Sequence, residues 1–78
     1  MRIYVTKADI RNGCPCSAGR CPIALSLIRR FPRSFISVCP HGVIVEDLCI
    51  PLPKKAQRFI QKFDHNLTPK PFRFTLPI

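Results

Sequence analysis

Between Pro53 and Asp64 the apolar residues Ala56, Phe59, Ile60 and Phe63 recur at i, i+3, i+4 and i+7, while Lys54, Lys55, Arg58, Gln61 and Lys62 fall largely off that face. This is the clearest periodicity in the chain. It predicts an amphipathic helix opened by Pro53 and broken at Asp64-His65-Asn66. Such a helix has to lay its apolar stripe on another element, and the 78 residues suffice for one domain, residues 1–78, and not for two.

The remaining segments supply the partners. Residues 2–6 alternate, Ile3 and Val5 against Arg2, Tyr4 and Thr6, the period of a half-buried strand. Ala8 to Arg20 is polar and holds Asn12-Gly13, Cys14-Pro15 and Ala18-Gly19, so it reads as a long loop with room for a helical turn at its start. Pro22 suits a first helical position, and Ile23, Ala24, Leu27, Ile28 and Phe31 then share a face, giving a mostly buried helix over 22–31 that Pro32 stops. Phe35–Val38, Val43–Glu46 and Leu48–Leu52 read as a three-strand meander turning at Pro40-His41-Gly42 and Glu46-Asp47, with Pro51 placing the last strand at an edge or bulge. After Pro69 and Pro71, Phe72, Phe74 and Leu76 alternate with Arg73 and Thr75 as a final strand. The order strand, helix, three strands, helix, strand predicts an α+β fold: a small antiparallel or mixed sheet with both helices packed on one face.

An apolar fraction of 46% with six Phe is too high for a disordered chain. The longest apolar run, Pro22 to Ile28, is far below the roughly 18 residues that span a bilayer, and no secretory signal opens the chain, so a cytoplasmic protein with no membrane partner is expected. Thirteen Lys and Arg face only Asp9, Glu46, Asp47 and Asp64, a net charge of +9. Positive charge at that density repels itself and attracts polyanions.

Five cysteines without an export signal favour reduced thiols or a metal site over disulfides. Cys14, Cys16, Cys21, Cys39 and His41 contain enough soft ligands for a tetrahedral structural zinc stapling the long loop to the meander. Against this, the Cys-x-Cys and Cys-x-His spacings are tighter than zinc sites usually use. The alternative gives Cys21 a capping or packing role, makes Cys39 and Cys49 small hydrophobes in strands, and leaves Cys14 and Cys16 as loop thiols. Cys39 and His41 as a nucleophilic pair lack a third orienting group, four carboxylates offer no acid/base couple, and three glycines form no phosphate loop. No enzyme, no cofactor beyond that zinc, and no small-molecule substrate is expected.

The anion site is expected on the second helix. First-turn positions favour Asp or Glu because the free backbone N–H groups carry partial positive charge, yet Lys54 and Lys55 stand there. Arg58 and Lys62 follow Lys54 at i+4 and i+8, so the four cations form a stripe able to follow a nucleic-acid backbone, or simply a solvated face. The Phe residues at helical and strand spacing read as core, whereas Tyr4 points away from Ile3 and Val5 and is either exposed beside Arg2 or half-buried in the sheet.

Two stretches, Arg20-Cys21-Pro22-Ile23-Ala24-Leu25 and the tail from Leu52-Pro53 through Arg58-Phe59-Ile60 and Phe63-Asp64 to Pro71-Phe72-Arg73-Phe74, resemble a group of small uncharacterised proteins encoded by phages and prophages. The resemblance covers about half the chain. It implies no catalytic residue and an accessory role in a bacterial host; cysteines 14, 16, 39 and 49 are not part of the pattern. The expected function is therefore that of a basic, non-enzymatic phage or mobile-element accessory protein engaging an anionic partner, nucleic acid before others. The alternatives are a protein-binding modulator or anti-defence inhibitor of a host complex, and a minor virion component.

Overall fold

The computed structural model describes every residue except Asn66, Thr68 and Ile78. The chain runs β1 (Arg2–Val5), α1 (Lys7–Asn12), α2 (Pro22–Arg30), β2 (Ile36–Cys39), β3 (Gly42–Val45), β4 (Leu48–Pro51), α3 (Lys54–Asp64) and β5 (Phe72–Thr75). The α+β class and the expected order hold, with α1 added. The strands divide into two antiparallel sheets, a β1–β5 ribbon that joins the chain's two ends and the β2–β3–β4 meander. The break expected after α3 begins at His65, and its last residue, Asn66, lies outside the described residues. Among the described residues no helix is long and apolar enough to cross a membrane.

One core fills the space between the sheets. Ile3 and Val5 of β1, Ile23, Ala24 and Leu27 of α2, Ile36, Val38, Val43 and Ile50 of the meander, Ala56, Phe59 and Ile60 of α3, and Phe74 of β5 are all buried in it. Packing with both β1 and β2 makes α2 the bridge between the sheets. On the ribbon, Phe74 lies opposite Ile3 and Phe72 opposite Val5, so one face is apolar. Onto it α3 stacks Phe59, whose ring centroid is 4.5 Å from that of Phe72, itself 5.5 Å from Phe74. Ile28, expected on the buried face of α2, is instead 37% exposed: Ile23, Ala24 and Leu27 already fill the stripe against the core, and the next position turns outward. Phe63 and Phe72 are half-buried at the margin of the core.

The helical turn for which the start of the 8–20 loop left room is α1, a six-residue helix that begins at Lys7. Thr6 caps it, its hydroxyl accepting from Asp9 N (3.2 Å) while the Asp9 carboxylate accepts from Thr6 N (2.9 Å), a reciprocal capping box. The same carboxylate accepts from both terminal nitrogens of Arg29 on α2, at 2.7 and 3.0 Å, and Arg29 Nη2 also donates to Tyr4 O on β1 (3.1 Å). Asp9 is 4% exposed. Burial works against its ionisation, but the Arg29 and Thr6 hydrogen bonds outweigh burial and hold its pKa below the ordinary 3.8.

The meander depends on close approach of its backbones. Two-residue turns, Pro40-His41 and Glu46-Asp47, join its strands, and Glu46 adopts φ 55, the left-handed region. A Cβ on Gly42 would lie 2.8 Å from Ile50 O of β4, so only glycine fits there.

Two outcomes test this architecture. Replacing Phe59 by Ala is expected to cost about 3–5 kcal/mol in denaturant unfolding, most of the stability of so small a domain; a variant melting within a few degrees of the parent would contradict the placement. Asp9→Asn is expected to cost about 1–2 kcal/mol near neutral pH, less than a fully buried charged hydrogen-bond pair because the Arg29 side chain is 53% exposed. Since the folded-state pKa of Asp9 is depressed, its contribution is present above the unfolded value of 3.8 and disappears as pH falls through the lower folded value. The stability gap between wild type and Asp9→Asn should therefore close in that acid range, and a gap that persists unchanged there would remove the ion pair as its cause.

Candidate nucleic-acid interface

Of the four cations expected to form the anion site, Lys55, Arg58 and Lys62 line one groove, completed by Phe59 beneath and by Pro69, Lys70, Pro71 and Phe72 on the far wall. Its volume is about 520 Å³. Lys54 is exposed on the first turn of α3 but does not line the groove. Its place is taken by Lys70, a residue that periodicity within the helix could not bring in, because the wall it belongs to follows α3 in the chain and returns alongside it.

Local sequence explains why the cations face outward together. Ala56, Phe59 and Ile60 bury one side of α3, so Lys55, Arg58 and Lys62 remain on its flank, all exposed. Lys55 Nζ stands 5.8 Å from the centroid of the half-buried Phe72 ring, close enough for a cation–π contact that holds the ammonium over β5. The start of α3 carries no side-chain cap and no acidic residue in its first turn.

The carboxylates lie elsewhere. Asp9 is bound to Arg29, Glu46 and Asp47 form the β3–β4 turn, and Asp64 accepts from Cys16 N (2.9 Å). Among the described residues no Asp or Glu lines the α3–β5 groove.

The expected zinc site does not form. Among the described residues no three His, Cys, Asp or Glu side chains lie close enough to hold a metal ion. Cys21 is buried as the N-cap of α2, its sulfur accepting from Ala24 N (3.4 Å), and burial pushes its thiol pKa up against the pull of the Ala24 and Ile23 amides. Cys39 donates instead to Gly42 O (3.2 Å) within its own hairpin. Cys16, Cys21 and Cys39 border one cleft with Asp64, while Cys14 and His41 stand outside it. Two of the five candidate ligands, Cys21 and Cys39, are thus engaged by their own local backbone. Cys39 borders that cleft and His41 does not. All five cysteines are free; Cys39 and Cys49 sit on strands, as expected of small apolar residues there, but both are exposed.

Comparison with protein-family models, with curated proteins and with solved structures finds no match to this chain.

Chelator is expected to leave the Tm of protein purified under reducing conditions unchanged, and elemental analysis to find no stoichiometric zinc. One equivalent of zinc together with a lowered Tm on chelation would show that the cysteines converge after all.

Proposed function

We propose that this protein acts by binding nucleic acid, with the backbone phosphates held in the groove between α3 and β5. The observation that carries the reading is the grouping of Lys55, Arg58, Lys62 and Lys70 in one groove that, among the described residues, no carboxylate lines. Four exposed cations in one concave site concentrate positive potential where a chain of phosphates fits, and release of condensed counterions then drives binding. A partly exposed aromatic, Phe72, in the same groove adds an apolar surface for sugar or base. The accessory role in a phage-infected or prophage-carrying bacterium implied by the resemblance of residues 20–25 and 52–74 belongs to the same proposal.

A second reading, docking to a protein partner of the kind a host-complex modulator would need, is favoured by Phe35 and Leu48, which are 63% and 62% exposed. The two residues flank the same end of the meander, where Phe35 O accepts from Glu46 N and Leu48 pairs with Val45. A pull-down with and without nuclease separates the readings: partners lost on nuclease treatment support the first, a stoichiometric protein that persists supports the second.

Four phosphate contacts predict a slope of log affinity against log salt of about −2.8 on a single strand and about −3.6 on a duplex. Substituting Gln for Lys55, Arg58, Lys62 and Lys70 together is expected to flatten that slope and leave the fold intact, because all four are exposed. Lys54→Gln alone should change it little. Should the quadruple variant bind as tightly as the parent with the same salt dependence, the groove is not the site.

A further inference from the structure

The α3–β5 groove does not end at β5. It shares Lys55 with a second groove lined by Arg2, Arg73 and Thr75, and that one shares Arg2 with a third lined by Tyr4, Arg29 and Arg30. Together they make one basic track that leaves the flank of α3, crosses the β1–β5 ribbon and reaches the end of α2. Among the described residues no Asp or Glu lines any part of it. Among the described residues Arg29 is the one track cation in a salt bridge, which it makes with Asp9.

The middle of the track is the outward face of the ribbon. Because Ile3, Val5, Phe72 and Phe74 turn inward, the register places Tyr4 opposite Arg73 and Arg2 opposite Thr75 on the other side. Tyr4 is 51% exposed, the largest aromatic area outside the core on this part of the surface, and the register sets it across from Arg73 and two residues along β1 from Arg2. An exposed ring with cationic residues as neighbours can receive an unpaired base while the cations take the adjoining phosphates. A duplex offers no such base, because its faces are stacked on one another, and it is stiff over about 150 base pairs, whereas the track turns over the ribbon edge within a molecule of 30 × 22 × 20 Å.

We propose that the outward face of the β1–β5 ribbon, centred on Tyr4, is a stacking platform for single-stranded nucleic acid, whose backbone continues past Arg2, Arg73 and Lys55 into the α3 groove. The inference rests on the nucleic-acid reading above and adds to it the strand state and a second half of the site.

Tyr4 is the chain's one tyrosine and there is no tryptophan, so intrinsic emission reports on this ring alone. The wild-type protein is titrated at low salt with labelled oligo(dT) and with a labelled duplex of the same length, following anisotropy and tyrosine emission together. Emission quenched in step with oligo(dT) binding, with weaker duplex binding that leaves it unchanged, is the expected result. Tyr4→Ala should weaken oligo(dT) binding by about fivefold or more while Tyr4→Phe retains it. Oligo(dT) bound without quenching, or duplex bound as tightly as the single strand, would overturn the platform and leave the α3 groove standing. Failure of both probes to bind would remove the platform and the groove together. The quenching measurement needs no variant, so a misfolded Tyr4→Ala protein does not shield the proposal.

Discussion

A chain with thirteen cations and four carboxylates cannot pair its own charge, so where the few carboxylates go decides both what holds together and what is left to bind. Asp9 is the one placed inside. It closes the capping box of α1 and receives both terminal nitrogens of Arg29, which also holds the Tyr4 carbonyl, so a single buried carboxylate ties β1, α1 and α2 together. Burying it unpaired would cost several kcal/mol; with three hydrogen bonds from two residues it becomes a fixed point. The carbonyl that Arg29 takes from β1 belongs to the residue whose ring faces outward, so the same contact that orders the fold also steadies the ribbon's outer face.

From that point the molecule separates into an apolar interior and a predominantly basic exterior. The Phe59–Phe72–Phe74 stack docks α3 on the ribbon and thereby sets the flank of the helix beside β5. Lys55, Arg58 and Lys62 follow because they share a helix with Phe59 but not its face. The other carboxylates stand outside the groove: Glu46 and Asp47 in a hairpin turn, Asp64 at the end of α3 holding the loop amide of Cys16. Self-repulsion along the track is the cost of this arrangement, and a polyanion relieves it.

The cysteines show how a plausible motif can be absorbed by local structure. Cys21 is needed as a cap because the amides of the first turn of α2 have no helical partner, and Pro22 at the next position fixes the geometry. Cys39 lies at the end of β2 and turns its thiol to the hairpin it enters. Both thiols are engaged locally although their residues border a cleft with Cys16, and the loop that carries Cys14 and Cys16 is fastened by its own backbone bonds, Cys14 N to Arg20 O and Val38 N to Ala18 O.

The sequence by itself determined the elements and the sign of the surface. Period-2 and period-3.6 patterns located all five strands and the two long helices, because burial of one face leaves its mark at every second or every third and fourth residue. It also carried a signal for α1 in Thr6-x-x-Asp9, overshadowed by the turn dipeptides that follow. Tertiary structure alone decided that the strands form two sheets, since β1 and β5 pair across nearly the whole length of the chain and local pattern holds no information on partners so distant. The same long-range pairing put Lys70 beside Arg58 and Tyr4 beside Arg73, and kept Lys54 out. A stripe along one helix can be read from spacing, but a groove has two walls, and only the folded chain brings the second wall to the first.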